Sequence, residues 1–227
     1  MPETRPSETR PDDLAADARR HLETAARTLA AVAAAEVDRL AQVAALLANR
    51  LRKGQTLFTC GNGGSAADAQ HIAAELSGKF YLHRPGLPAL ALTTNTSALT
   101  AIANDFSYDE IFSRQLEAQA RPGDVLFVLT TSGRSVNCRK AVEWAKANDV
   151  TTVAFTGSKG ADFAALCDHA FVVASDDTPH IQEAHITIGH ALCALAEAAL
   201  YGPKGAPPAA ARAVLAPRTG PSPGGGR

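Results

Sequence analysis

The chain has 227 residues, of which 46% are hydrophobic, and a formal net charge of −1. This length fits one domain of ordinary size with a substantial core. A near-neutral charge argues against nucleic acid and anionic membrane surfaces as partners, and no apolar run approaches the ~18 residues of a membrane span. The first residues, MPETRPSETRPDD, contain no hydrophobic segment of signal-peptide type, and the four cysteines form no C-x-x-C pair. We therefore expect a cytoplasmic protein with scattered, reduced thiols.

Composition divides the chain into four parts. Residues 1–11 are polar and contain proline, and residues 202–227 are rich in Pro, Gly and Ala, so both ends are predicted to be disordered. Residues 12–53 lack Gly and Pro and repeat apolar side chains at helical spacing, which predicts one long helix or a helical hairpin. This helical arm packs either on its own domain, residues 54–201, or on a partner chain, and the sequence does not distinguish the two.

From residue 54 onwards, short apolar runs alternate with helical stretches. Strands that are apolar throughout and separated by helices indicate a parallel sheet covered on both faces. The sequence therefore predicts a single doubly wound α/β domain, with five strands at 56–60, 87–93, 125–131, 150–157 and 169–175. The helices are predicted at 66–80, 97–103 and 108–119, from the segment after SGRS to Asn148, and from Pro179 to Tyr201.

The turn after the first predicted strand reads GNGGSA, at 61–66, and matches the dinucleotide pattern G-x-G-x-x-A. That pattern also requires an acidic residue at the end of the second strand, where it holds the ribose. Here the second strand ends with Thr93, Thr94 and Asn95. The glycines alone favour backbone N–H groups that hold an anion or sugar hydroxyls at the start of the next helix.

A second turn rich in hydroxyl groups, TTSGRS at 130–135, follows the third predicted strand. Its position favours a phosphate because a helix dipole points at it, although a Ser N-cap would also explain the composition. The carboxyl ends of parallel strands meet at one edge of a sheet. Together, the two turns therefore predict a phosphorylated ligand.

A separate group of candidate residues carries imidazole and carboxylate groups. His71 and Glu75 are at positions i and i+4, so they project from one helix face and can meet a common ligand, as can residues of an ordinary solvated face. The last helix offers four further polar groups, and their spacing does not select among them: Gln182, Glu183, His185 and His190.

Four segments taken together resemble one known family: CGNGGSAADAQHIAAEL, LTAIANDFSYDEIF, TTSGRS and IQEAHITIGHAL. They resemble the phosphoheptose isomerases of the sugar-isomerase (SIS) superfamily, in the same order and over roughly residues 15–201. The resemblance implies a flavodoxin-like five-stranded sheet and a homotetramer. It also implies conversion of sedoheptulose 7-phosphate, a phosphorylated seven-carbon sugar, into D-glycero-D-manno-heptose 7-phosphate, the first step towards activated heptoses.

The resemblance also assigns site residues. It implies one Zn²⁺ per subunit, with the ligands His71, Glu75, Gln182 and His190. It implies that Glu75 and His190 are the acid–base pair. The implied substrate contacts are Asn62, Gly63, Gly64, Ser65, Glu75, Asn104, Asp105, Thr130, Thr131, Ser132, Ser135 and Gln182.

The chain departs from the family pattern at a few positions. Thr130 replaces a usual Ser and keeps the hydroxyl, and Arg134 replaces a small polar residue, which adds a cation near the expected phosphate. His180 stands where Arg is frequent. The tail past Tyr201 has no counterpart in the family pattern.

Two other classes within the superfamily are alternatives to this enzyme. One is a non-catalytic tetramer that associates with a replication initiator and lacks the catalytic Glu and His, whereas Glu75 and His190 are both present here. The other comprises phosphosugar sensors and other aldose–ketose isomerases, which share the phosphate loops but not the set of four metal ligands. The sequence therefore favours the isomerase.

Overall fold

The computed structural model of the protein describes residues 10–202. The two predicted disordered ends lie outside this range, except for residues 10, 11 and 202. None of the helices within the described range is long and apolar enough to cross a membrane.

The predicted helical arm consists of two helices, α1 (Pro11–Ala35) and α2 (Val37–Arg52), which are separated by Glu36. The apolar face of α2 is buried in the same core as the last helix, α8 (Thr178–Tyr201), through Val43, Leu47 and Leu51 among others. Most of the N-terminal half of α1 is exposed to solvent. The structure thus places α2 on its own domain, one of the two arrangements that the sequence left open.

Five strands form one parallel sheet in the order β2-β1-β3-β4-β5, which confirms the predicted doubly wound fold. This order is that of the flavodoxin-like folds. The strands are β1 (Leu57–Gly61), β2 (Ala89–Ala91), β3 (Val125–Leu129), β4 (Thr151–Gly157) and β5 (His169–Val173).

Helices cover both faces of the sheet, because successive buried side chains of each strand point to opposite sides. The helices after α2 are α3 (Gly64–Ser77), α4 (Thr96–Asp105), α5 (Ser113–Gln119), α6 (Val136–Ala147), α7 (Ala161–Ala164) and α8 (Thr178–Tyr201). Leu57 and Val125 pack with α2, α3 and α8, whereas Phe58 and Leu126 pack with α5 and α6 on the other face.

Two predicted elements differ most from the structure in extent, while several others begin or end two or three residues from their predicted positions. The strand predicted at 87–93 has three residues, since Pro88 cannot donate to a ladder and the chain turns after Ala91, where Thr94 donates back to the Ala91 carbonyl. The helix predicted at 108–119 is a short 3₁₀ turn at Tyr108–Glu110 followed by α5.

The centre of the sheet forms a crevice that positions the site. β1 and β3 are neighbours, but the chain leaves β1 through α3 on one face and β3 through α6 on the other. Ligands of open α/β sheets bind at such a switch point, beyond the carboxyl ends of the strands. The two turns that the sequence analysis selected, at 61–66 and 130–135, both lie there.

Candidate active site

A cavity of about 310 Å³ opens at the switch point between the turns after β1 and β3. The first turns of α8 close one side of it. Nine of the residues that the resemblance assigned to the substrate or metal line this cavity: Asn62, Gly63, Gly64, Ser65, Thr130, Thr131, Ser132, Ser135 and Gln182.

The cavity lies at the N-termini of two helices whose first turns have no side-chain cap. α3 begins at Gly64, and α6 begins at Val136 after Ser135. Ser135 occupies the N-cap position, but its hydroxyl does not cap the helix. The Ser135 hydroxyl and the N–H groups of the first two residues of each helix form no hydrogen bond within the described residues, so they are available to a ligand, whereas the third N–H groups, of Ala66 and Cys138, are already bonded. Partial positive charge at two helix ends favours an anion such as phosphate.

Two glycines allow the close approaches that shape this cavity. A Cβ on Gly64 would lie 2.6 Å from Nε2 of Gln182, so a larger residue here would displace the Gln182 side-chain amide from its position against α3. Gly133 has φ +68°, and its Cβ would lie 2.9 Å from Cα of Gly160. The limited space around these two positions therefore explains why glycine is found there, without any need for a dinucleotide-binding pattern.

A network of amide groups joins the two turns. Asn62 and Asn137 form a reciprocal pair, with both N–H···O distances at 2.9 Å, and the Tyr108 hydroxyl donates to Oδ1 of Asn62 at 3.0 Å. The pair spans the switch point from β1 to α6 and orients Asn62. The sequence analysis missed Asn137, since a single amide two residues into a helix carries no recognisable pattern.

Asn104 and Asp105, which the resemblance assigns to substrate binding, are located elsewhere. Both lie exposed at the C-terminal end of α4, where Asn104 donates to the Asp105 carboxylate at 2.8 Å. They do not line the cavity at the switch point.

The imidazole and carboxylate groups converge in a second place, between the middle of α3 and the middle of α8. Nε2 of His71 lies 2.9 Å from Oε1 of Glu75 and 3.3 Å from Nε2 of His190. All three ligand atoms lie within 4.8 Å of one another. An ion with ~2.0–2.2 Å bonds in tetrahedral geometry holds its ligand atoms roughly 3.3–3.6 Å apart. The donor set and spacing therefore suit a transition-metal ion.

Surrounding residues hold this cluster, which we call the His71 cluster. Phe80 stacks on His190, with 5.7 Å between ring centroids. Arg84 and Glu197 form a fully buried ion pair at 2.8 Å, and Glu197 also accepts the backbone N–H groups of residues 80–82. Arg84 also donates to carbonyls at the end of α3. Sequence analysis missed this pair, whose members are 113 positions apart.

Gln182 lies apart from the other three implied zinc ligands. α3 and α8 run side by side in the same direction, with Gln182 against Gly64 and His190 against His71. Eight residues of helix separate Gln182 from His190, which is roughly 12 Å along the axis. One chain therefore gathers three of the four residues.

His185 faces the core instead of either site. Its ring is fully buried, packs edge-on against Phe155, and has neither nitrogen hydrogen-bonded. Burial lowers the pKa of His185 to about 4, because the charged ring is poorly solvated there. The side chain is therefore neutral at physiological pH and is no ligand for the cavity.

This burial predicts a loss of stability in acid. The unfolded chain takes up a proton at His185 near its ordinary pKa of 6.5, whereas the folded chain does so only near 4, so stability falls as pH drops through this window. The loss is about 3 kcal/mol. His185→Leu should remove this contribution, measured as the free energy of urea unfolding across the window. His83→Leu, at an exposed position, serves as the control, and an unchanged pH dependence in His185→Leu would refute the assignment.

Comparison with known proteins gives concordant results. The family model of the SIS domain matches residues 20–157. A phosphoheptose isomerase from Rhodospirillum rubrum is 52% identical over 161 residues, which cover 71% of this chain and 86% of that protein. One from Aneurinibacillus thermoaerophilus is 51% identical over 160 residues, which cover 70% of this chain and 81% of that protein.

A solved structure shares the fold over nearly its whole length. The phosphoheptose isomerase of Neisseria gonorrhoeae superimposes with a TM-score of 0.77 and 40% sequence identity, over 82% of this chain and 99% of that one. The sheet order, the switch-point cavity and these similarities agree. The chain belongs to the SIS-domain family, within the group that contains the phosphoheptose isomerases.

Proposed function

We propose that this protein is a phosphoheptose isomerase that converts sedoheptulose 7-phosphate into D-glycero-D-manno-heptose 7-phosphate. The observation that carries the proposal is the presence, in one domain, of an anion-binding cavity and a convergent His71 cluster. The first suits a sugar phosphate and the second suits acid–base chemistry beside a metal. About half of the aligned residues are identical to those of relatives named for this activity. We place the reaction in the cytoplasm.

The proposed metal is Zn²⁺, one ion per subunit, held by His71, Glu75 and His190, with Gln182 as the fourth ligand. When bound, the ion supplies Lewis acidity that stabilises negative charge developing on the sugar oxygens. Imidazole and carboxylate ligands suit zinc, and three protein ligands with a replaceable fourth are typical of catalytic sites.

The reaction requires a proton to move from carbon 1 to carbon 2 of the ketose. In this proposal the Glu75 carboxylate removes a proton from carbon 1 while His190, as an acid, protonates the carbonyl oxygen at carbon 2. The resulting ene-diol then gives the proton on oxygen 1 to His190 and receives a proton at carbon 2 from the Glu75 carboxyl group, which yields the aldose and returns both residues to their starting states. A general acid–base pair of this kind contributes ~10²–10⁴-fold per group.

The phosphate is proposed to bind in the switch-point cavity, against the hydroxyl groups of residues 130–135. Arg134 and Lys159 line an adjoining cavity together with Thr131, Ser132 and Asp176, and Lys159 pairs with the Asp176 carboxylate at 3.1 Å, so Arg134 is the cation that borders the phosphate position. The cation that the sequence analysis noted at Arg134 thus lies next to the proposed phosphate site.

Replacing Ser132 and Ser135 by Ala should raise KM for the sugar phosphate more than it lowers kcat. Phosphate binding is largely shared by the ground and transition states, so its loss weakens binding without changing the chemistry. Steady-state kinetics would show the difference, with Ser158→Ala, which lies after β4, as a matched control. An unchanged KM in the double variant would place the phosphate elsewhere.

The separation between Gln182 and the His71 cluster supports a site shared between copies of the chain. If all four residues bind one ion, Gln182 and the phosphate cavity of one copy must face the His71 cluster of another. Exposed apolar side chains on the described surface, such as Leu22, Val37 and Leu195, are consistent with association. We propose a homotetramer, the assembly implied by the family resemblance, which light scattering would test.

Metal removal tests the proposed function as a whole. Full-length protein treated with a chelator should lose activity on sedoheptulose 7-phosphate and regain it on addition of Zn²⁺, with about one ion per chain needed at this site. Activity that persists in chelated protein shown to be metal-free by elemental analysis would contradict the proposal.

A further inference from the structure

A second group of histidine and carboxylate side chains lies away from the proposed catalytic residues, where α1 meets the start of α8. It consists of His21 from α1 and of His180 and Glu183 from α8, and we call it the His21 cluster. Nε2 of His21 lies 3.3 Å from Oε1 of Glu183, and Nδ1 of His180 lies 3.0 Å from Oε2 of Glu183. The two rings are 4.4 Å apart between centroids.

The spacing of these atoms resembles that of the His71 cluster. The three ligand atoms lie within 4.8 Å of one another. The two measured contacts end on different oxygens of the Glu183 carboxylate, Oε1 facing His21 and Oε2 facing His180, so the carboxylate lies between the two rings and can share an ion with both. Two imidazoles and one carboxylate thus leave room for a fourth ligand from solvent.

The environment of His180 adds a second, independent observation. Its ring is buried, and while Nδ1 faces Glu183, Nε2 lies 3.4 Å from Oδ2 of Asp177. A metal-ligating histidine usually donates its other ring N–H to a carboxylate, which fixes the tautomer and raises the basicity of the ligand. Asp177 supplies that carboxylate. Glu183 at Nδ1 and Asp177 at Nε2 therefore orient the His180 ring, which is the usual arrangement around a histidine that binds a metal.

Access and location also fit a bound ion. The side chains of His21 and Glu183 are 48% and 41% exposed, so an ion can reach them from solvent. A cavity lined by Asp17, Thr24, Asp176 and His180 among others opens beside them. Arg20 also lines this wall and pairs with Asp17, and Lys159 pairs with Asp176, so Asp177 beside His180 is the carboxylate that adds negative charge for a cation.

We propose that His21, His180 and Glu183 form a second site for a divalent transition-metal ion. Zn²⁺ is the ion used to test this site. The proposal does not rest on the proposed catalytic function. Such an ion would tie α1 to the first turn of α8, next to the strand ends that carry the phosphate cavity. Its role would then be to fix the N-terminal helix rather than to take part in the reaction.

Zinc content of the full-length chain tests this proposal. Protein stripped with a chelator, reloaded with Zn²⁺ and dialysed should contain about two ions per chain by elemental analysis. His21→Ala alters an exposed side chain and should lower the content by one. His71→Ala should also lower it by one, and the double variant should contain none. The control is His169→Ala, at the start of β5 and outside both clusters, which should retain two.

The variants keep the two metal sites distinguishable. A wild-type content of one ion that His21→Ala retains and His71→Ala loses would overturn the second site and leave the catalytic site intact. A content of one ion lost only in His21→Ala would support the second site and count against the catalytic one.

Hydrogen exchange gives a readout that does not depend on stoichiometry. In a His71→Ala background, Zn²⁺ should slow exchange of the backbone amides around His21 in α1 and at the start of α8. Adding His21→Ala should abolish this protection. Equal exchange with and without Zn²⁺ in the His71→Ala protein would show that the side chains only hydrogen-bond to one another, and would overturn the proposal.

Discussion

Glu75→Gln is expected to lower turnover of sedoheptulose 7-phosphate by ~10²–10⁴-fold while bound zinc and KM stay close to those of the parent. The amide keeps the size of the side chain and one oxygen that can face His71, which lies 2.9 Å from the carboxylate in the structure. It cannot accept a proton from carbon 1. Loss of a base thus appears in kcat, whereas loss of a ligand would appear in the metal content.

Three measurements on each variant separate these effects: zinc per chain, kcat with KM, and deuterium incorporation from solvent at the sugar carbon. Deuterium incorporation should fall in parallel with kcat, since both depend on the same proton transfer. Glu117→Gln, on the exposed surface of α5, is the matched control and should behave as the parent. A Glu75→Gln protein that retains zinc and works faster than about a tenth of the parent rate, which is outside the usual loss for an acid–base group, would show that Glu75 is not the base.

Mixing two inactive variants is expected to restore activity if the site is shared between copies of the chain. Gln182→Ala and His71→Ala should each be nearly inactive alone. A mixed oligomer contains positions where an intact Gln182 from one copy faces an intact His71 cluster of another. With equal mixing, about a quarter of the sites should be complete.

The mixing experiment requires that subunits exchange, so the two variants are produced together in one cell or refolded together. Mixed oligomers of His71→Ala with His190→Ala are the control, because both residues belong to the same cluster and no complete site can arise. Restoration in the first mixture alone would establish a shared site. Failure to restore activity in oligomers shown to be mixed would place all four ligands within one chain and require Gln182 to move.

The sequence predicted the sheet well because each strand carries an apolar run that only burial on both faces explains. β1, β3, β4 and β5 were found near their predicted positions. β2 was predicted too long, because the apolar residues on either side of the three-residue ladder are also buried. Leu87 and Leu92 lie in the cores on opposite faces of the sheet, although the Leu92 N–H still donates to the Thr59 carbonyl of β1 at 2.9 Å. Apolar content reports burial, and it does not report which backbone groups are paired.

How well the site could be predicted depended on how far apart its residues lie along the chain. The hydroxyl-rich turns were predictable because parallel strands bring their ends to one edge, and nine assigned residues do line one cavity there. His71 and His190 lie 119 positions apart in the chain, and only the family resemblance predicted that they belong to one site. The separation of Gln182 from His190 could not be seen without knowing how α8 lies against α3.

The buried ion pair of Arg84 and Glu197 could not be predicted from the sequence. Charged residues are rarely fully buried unless paired, and neither side chain is marked by its neighbours in the sequence. The contacts of His180 with Glu183 and Asp177 are local, three positions away in each direction, but its proximity to His21 depends on how α1 packs beside α8. Tertiary packing thus creates the Arg84–Glu197 pair and brings His21 to the other two residues of its cluster.

Product identification tests the central claim most directly. Zinc-loaded, full-length protein is incubated in D₂O with sedoheptulose 7-phosphate and, separately, with fructose 6-phosphate, and the products are identified by NMR. The account predicts D-glycero-D-manno-heptose 7-phosphate from the first, with deuterium at carbon 2, and little or no conversion of the second. No heptose product from protein shown to contain zinc, or faster conversion of fructose 6-phosphate, would contradict it.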